Sequence, residues 1–161
     1  MLRPRDVVDA ILTLLAPRRC AACDLELVAG EDGFCGGCDV LIDDAPAALR
    51  PPRPAAAGFD YGGPLGEAIR RLKYEHRTDI AAALGARLAR VSEPYAGLVD
   101  IVVPMPLHPS RLRERGFNQS ALLARPVARL LGLPLAADAV RRTRPTAVQA
   151  SLPRARRLDN V

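Results

Sequence analysis

Tryptophan is absent, and three tyrosines and three phenylalanines make up the whole aromatic content of 161 residues. A core built from this chain must therefore rest on Leu, Val, Ile and Ala. Aromatic platforms for stacking nucleic-acid bases are scarce in its basic half. No run approaches the ~18 apolar residues of a membrane span. Val7–Ala16 is too short, Asp6 and Asp9 flank or interrupt it, and no signal-peptide cleavage site follows. These absences predict a cytoplasmic protein. Internal repeats and long low-complexity tracts are missing as well. Lysine is nearly so: Lys73 stands alone against 22 arginines. A compositional preference for arginine accounts for part of the basic charge. In such a chain a retained primary amine points to a position where arginine would not serve, the bland alternative being the chance survival of one surface lysine.

What is present bounds the fold. This length makes one ordinary domain, or a small domain with an appendage, and 49% hydrophobic residues suffice for a packed core. The net charge of +5 hides an asymmetry. Residues 1–60 carry six arginines and ten acids, whereas residues 61–161 carry 17 basic and eight acidic side chains. The basic part suits nucleic acid or a polyphosphate-bearing small molecule.

All four cysteines fall in one cluster, Cys20-Ala-Ala-Cys23 and Cys35-Gly-Gly-Cys38, with eleven residues between the pairs. Two such knuckles bring four thiolates within reach of one tetrahedral Zn²⁺. Gly36 and Gly37 permit the tight turn, and Gly30 and Gly33 suit the reversal between the knuckles. Two disulfides or a redox pair are the alternatives, but disulfides need an oxidising compartment. A closed Cys₄ site folds a small module and leaves no open position for a catalytic water.

Hydrophobic spacing predicts helices over Asp6–Leu15, Pro64–Tyr74, Thr78–Val91 and Asn118–Leu131, with Asn118 as the last one's N-cap and Pro126 kinking or splitting it. Ala55–Tyr61, Asp100–Met105 and Ala139–Arg142 read as strands, and Ala45–Pro54 as a proline-rich linker. Strands alternating with helices predict an α/β fold with a parallel sheet behind the cysteine module. The module spans 1–50 and the second domain 55–161. Ligands of such sheets sit past the carboxyl ends of strands.

Residues 106–119 lie at that place. Pro104 and Pro106 stiffen the exit of the apolar run Ile101–Leu107, and His108, Arg111, Arg113 and Arg115 crowd the loop that follows. Arginine makes paired, charge-assisted hydrogen bonds to phosphate. Gly116 lets backbone N–H groups approach, and a helix starting near Asn118 adds its positive dipole end. Together they suggest a pyrophosphate cradle, with a solvated basic loop as the alternative. Val40-Leu-Ile-Asp43-Asp44 imitates a ribose-phosphate motif, but Ala45-Pro46-Ala47-Ala48 follows, without Thr, Ser or Gly to hold a phosphate.

The stretch P-M-P-L-H-P-S-R-L-R-E-R-G-F-N-Q-S closely resembles the ComF family (competence protein F), phosphoribosyltransferase-like proteins linked to DNA uptake. The paired C-x-x-C knuckles, Tyr61-G-G-P-L-G-E-A-I-R-R-L-Lys73-Tyr74, Thr78-Asp79-Ile80-Ala81 and Gln149-x-x-Leu152-x-x-x-x-Arg157-x-x-Asn160-Val161 agree with the same family. The resemblance implies a zinc-ribbon-like module followed by a type I phosphoribosyltransferase-like domain. That domain would bind phosphoribosyl pyrophosphate (PRPP) with Mg²⁺. Arg111, Arg113, Arg115 and Gly116 would face the pyrophosphate, with Lys73 as a further anion contact. Asn118 and Gln119 would fix the loop and the helix start, and Cys20, Cys23, Cys35 and Cys38 would hold structural zinc. The family continues past N-V into a V-D-D-V-x-T-T-G-x-T segment that grips the ribose and 5′-phosphate. The chain as given lacks it, so the resemblance predicts an incomplete sheet and a chain that is not a competent transferase by itself. The alternative is a zinc-dependent module without enzymatic activity that binds single-stranded DNA or proteins of the uptake machinery, favoured by Arg141, Arg142, Arg144, Arg154, Arg156 and Arg157.

Overall fold

A computed structural model describes residues 17–46, 52, 54–147 and 152–156. The helix expected over Asp6–Leu15, most of the proline-rich linker and the Gln149–Val161 segment apart from residues 152–156 lie outside the described residues. Among the described residues five α-helices follow in order: α1 (Gly36–Asp39), α2 (Gly63–Tyr74), α3 (Ile80–Ser92), α4 (Pro109–Arg115) and α5 (Gln119–Leu131). Short 3₁₀ turns occupy Glu93–Tyr95 and Arg154–Arg156. The helices α2, α3 and α5 fall where hydrophobic spacing predicts them, within two residues at each end.

The expected parallel sheet is not formed. Among the described residues there is no strand, only isolated bridges that join Arg19 to Glu26, Asp44 to Phe59 and Val102 to Leu135. The expected strand Asp100–Met105 pairs through Val102 alone, which donates to the Pro134 carbonyl at 3.0 Å and accepts from the Ala136 N–H at 3.0 Å. Its neighbours face solvent: Ile101 is 47% exposed, Val103 41% and Met105 69%. Pro104 and Pro106 carry no N–H to extend a ladder. The expected strand 55–61 contributes one bridging residue, Phe59, and 139–142 contributes none. An apolar run and its length do not supply neighbours, and these segments find none that would make a sheet.

Helices pack on helices instead. The main contact joins α3 to α5, where Gly85 lies under Pro126. A Cβ on residue 85 would come to 2.8 Å from the proline Cγ. Pro126 does not split α5, which runs through it unbroken for 13 residues. The proline gives up one hydrogen bond of the helix and gains a flat apolar surface against the glycine.

The buried cluster is shared between the cysteine segment and the helices. Cys20, Ala21, Ala22, Phe34 and Cys35 pack with Leu65, Ala68 and Leu72 of α2 and with Ile80, Ala81 and Leu84 of α3. Phe34 is the largest fully buried side chain, and the Arg87 guanidinium sits over its ring at 5.0 Å while pairing with Asp39. Gly33 makes this docking possible. Its φ of 76° is in the left-handed region, and a Cβ there would overlap that of Ala83. A second tie is electrostatic. Asp24, itself at φ 66°, accepts from Arg77 at 2.7 Å and pairs with Arg71 at 3.4 Å.

Candidate functional site

Two sites emerge, one of thiols and one of cations. In the first, the backbone wraps each knuckle around a sulfur. The Cys20 N–H donates to the Leu25 carbonyl at 2.7 Å and the Asp24 N–H returns to the Cys20 carbonyl at 3.1 Å. Cys35 caps α1, and its carbonyl accepts from the N–H groups of Cys38 and Asp39, both at 2.9 Å. The Cys35 N–H reaches across to Cys20 Sγ at 3.4 Å.

The four sulfurs of Cys20, Cys23, Cys35 and Cys38 lie within 4.8 Å of one another, and Cys23 and Cys35 are 3.6 Å apart. A tetrahedron with Zn–S bonds of ~2.3 Å has edges of ~3.8 Å, so the cluster has the size of a metal site. The cysteines are free, and 3.6 Å is far beyond the ~2.05 Å of a disulfide. Burial works against ionising Cys20, but N–H groups of Cys23, Cys35 and Ala22 outweigh it and bring its thiol down to about 6. Burial and the facing thiols push Cys38 up. One thiolate thus forms readily and makes the next costly, an imbalance that a divalent cation bound among the four removes.

The second site is a cleft of about 310 Å³ between the end of α2, the helix α4, the start of α5 and the segment around residues 142–147. Lys73, Arg111, Arg115 and Gln119 line it, together with Tyr74, His76, His108, Ser110, Glu114, Arg142 and Thr146. Four cationic side chains therefore converge on one cavity, while Glu114 is the one carboxylate among its lining residues.

The stretch expected to be a loop is largely helical. His108 caps α4 by accepting from the Ser110 N–H at 3.2 Å, and Gly116 closes it at φ 78°. Helical geometry then sorts the three arginines. At 100° per residue, Arg111 and Arg115 share a face one turn apart, whereas Arg113 points almost oppositely. Arg113 is exposed and outside the cleft. Gly116 and Asn118 do not line it either. Gly116 terminates α4. Asn118 caps α5, accepting from the Ser120 N–H at 2.9 Å, and donates to the Met105 carbonyl at 3.1 Å. That bond ties the segment before α4 to the start of α5, whose positive dipole end borders the cleft through Gln119.

Inside the cleft the cations are held by neutral or internal partners. Arg115 donates to Gln119 Oε1 at 2.6 Å and lies over the Tyr74 ring at 5.4 Å. Arg111 pairs with Glu114 at 2.7 Å, and Arg142 donates to Thr146 at 2.6 Å. Burial, with the nearby Arg115 charge second, lowers the Lys73 ammonium below its ordinary range. An anion placed beside both would reverse that effect. Phe117 packs edge-on against His76, ring centroids 6.3 Å apart, which fixes the end of α2 against the α4–α5 corner.

The residues that sequence reasoning did not assign to the site are Tyr74, His76, Ser110, Glu114, Arg142 and Thr146. Tyr74 adjoins Lys73 and Glu114 lies inside the arginine motif, so adjacency was a signal for both. Arg142 and Thr146 come from an arginine-rich stretch without periodicity, where no local pattern marks them. The Val40–Asp44 segment does not line this cleft. Val40 and Leu41 are exposed, and Asp44 bridges to Phe59.

The chain is 34% identical over 163 aligned positions to the DNA utilization protein YhgH of Escherichia coli (strain K12), covering 84% of this chain and 71% of that protein. It is 33% identical to the protein of the same name from Shigella flexneri. It is 32% identical to that from Salmonella typhimurium, with 86% and 73% covered. The chain belongs to the family of these DNA utilization proteins. No family model and no solved structure matches it. Among the described residues no helix is long and apolar enough to cross a membrane.

Proposed function

We propose that this chain serves DNA utilization, the role its relatives are named for, as a zinc-stabilised protein whose cleft holds a diphosphate-bearing ligand. The observation that carries the reading is the convergence of Lys73, Arg111, Arg115 and Arg142 on one cavity. Scattered surface arginines serve solubility. Four cations gathered from three separate stretches of sequence, beside a helix N-terminus and with Glu114 pairing Arg111 alone, leave a net positive charge that an anion would balance.

PRPP is the ligand class that the resemblance to the ComF family suggests, and the zinc reading rests on the size and donor set of the thiol cluster. Magnesium has no protein site of its own here. Glu114 is the one carboxylate among the residues lining the cleft, and Arg111 already holds it. No step is assigned to magnesium. The role argued for this chain is binding: Arg111 and Arg115 clamp phosphate oxygens, Lys73 supplies a compact charge, and Asn118 and Gln119 hold the corner in place.

A second reading is single-stranded DNA, which the relatives' name and the basic balance of residues 61–161 favour. Calorimetric titration of the zinc-loaded chain with pyrophosphate, and separately with an oligonucleotide, separates the two. A diphosphate site gives saturable binding at modest salt with one ligand per chain. DNA binding instead loses affinity steeply as salt rises. Absence of pyrophosphate binding at low salt would refute the diphosphate reading.

A further inference from the structure

The pairing inside the cleft points to a role for a residue that the motif reading passed over. Resting on the diphosphate reading above, we infer that Glu114 is an internal competitor for Arg111, occupying it in the free protein and yielding it only to the second phosphate of a diphosphate. Three observations converge on this. Glu114 Oε2 accepts from Arg111 Nη1 at 2.7 Å across one turn of α4. Both residues line the same cavity as Lys73 and Arg115. Arg115 itself is held by an uncharged amide and an aromatic ring, and among the described residues that line the cleft Glu114 is the one carboxylate.

The cleft therefore has two unequal ends. At the Lys73–Arg115 end the cations are uncompensated, so a single phosphate settles there first. At the Arg111 end the charge is already matched by Glu114. The two guanidinium groups start from Cα atoms separated by a rise of ~6 Å along the helix. A ligand with a second phosphate group can span them; orthophosphate engages one end. Exposed pairs of this i,i+3 kind are weak, and the Glu114 side chain is 66% exposed. A diphosphate can displace it, at a modest loss of affinity. The carboxylate thus lowers affinity for every ligand that must use Arg111 and leaves the other end nearly untouched.

The test is a set of titrations on the zinc-loaded chain with two probes, pyrophosphate and orthophosphate. Glu114→Gln should raise pyrophosphate affinity about two- to fivefold, the range such an exposed pair is worth, and raise orthophosphate affinity less. In an Arg111→Gln background the same change should bring no gain for pyrophosphate. Glu114→Asp, whose shorter side chain keeps the charge, should stay nearer the parent than the glutamine variant. An equal gain for both anions would show that Glu114 acts only as a diffuse charge and would overturn the inference. So would a gain that persists without Arg111, or no gain at all while the parent binds pyrophosphate. If the parent binds neither probe, the diphosphate reading falls, and that result is distinct from the others.

Discussion

The thiol cluster and the arginine cleft are opposites in construction. The cluster is small and built around two buried cysteines, with backbone N–H groups aimed at its sulfurs. It shares its apolar surroundings with α2 and α3, and its four sulfurs lie within 4.8 Å of one another. The cleft is open, polar and assembled from side chains that already have partners. Four like groups gather in each place and strain against one another, although in the cleft Glu114 already pairs with Arg111. Burial makes that strain severe among the thiols, whereas solvent and internal hydrogen bonds relieve it among the arginines. On the proposed reading, the first arrangement would make its ion part of folding, and the second would leave its ion free to come and go.

The largest expected effect tests that contrast directly. Stripping the metal with a chelator, or Cys35→Ser, should unfold the cysteine module and the α2–α3 core it shares. Structural zinc contributes on the order of 10 kcal/mol or more of apparent binding energy, comparable with the whole stability of a domain. Thermal melts with a metal assay should show one zinc per chain and its loss on denaturation. A melt unchanged by chelation would place the stability of this region in its packing alone.

Next is Gly33→Ala, which probes the docking without touching a sulfur. The left-handed φ and the overlap with Ala83 should together cost about 2–4 kcal/mol, read as a lower melting temperature with zinc stoichiometry kept. In the cleft, Arg115→Gln should weaken pyrophosphate binding about tenfold, the worth of a hydrogen bond to a charged group, and leave the melt unchanged. Arg113→Gln, off the cleft, should change that affinity far less. Equal losses from Arg113 and Arg115 would mean that general charge, and not the shared helix face, binds the anion.

The smallest effect is on pH. Arg77, through its hydrogen bonds, holds the Asp24 and Asp79 carboxyls below their usual range, and Arg70 followed by Arg71 lowers Glu67 to about 2. Because these folded-state values are depressed, their stabilisation is complete above the ordinary carboxylate range and fades as pH falls toward about 2. Asp79 is exposed and Asp24 and Glu67 are partly exposed, so salt should flatten the dependence. Melts taken at falling pH, with and without added salt, should show a shallow decline that Asp24→Asn reduces.

The sequence by itself determined the parts governed by local rules. Residues that recur every three or four positions made α2, α3 and α5 legible, Asn118 announced its cap, and two C-x-x-C pairs fixed where four thiols would meet. Such features depend on neighbours a few residues away in the chain. The tertiary structure decided what each segment had for company. Whether Ile101–Leu107 joined a sheet depended on partners elsewhere, and Val102 found only Leu135. Pro126 stayed within a helix because Gly85 left room for its ring. The three arginines of the motif looked equivalent until a helical turn set Arg111 and Arg115 on one face and Arg113 on another. Arg142 reached the cleft from a stretch with no pattern at all. Periodicity records which face of a segment is apolar, but packing alone chooses what that face meets.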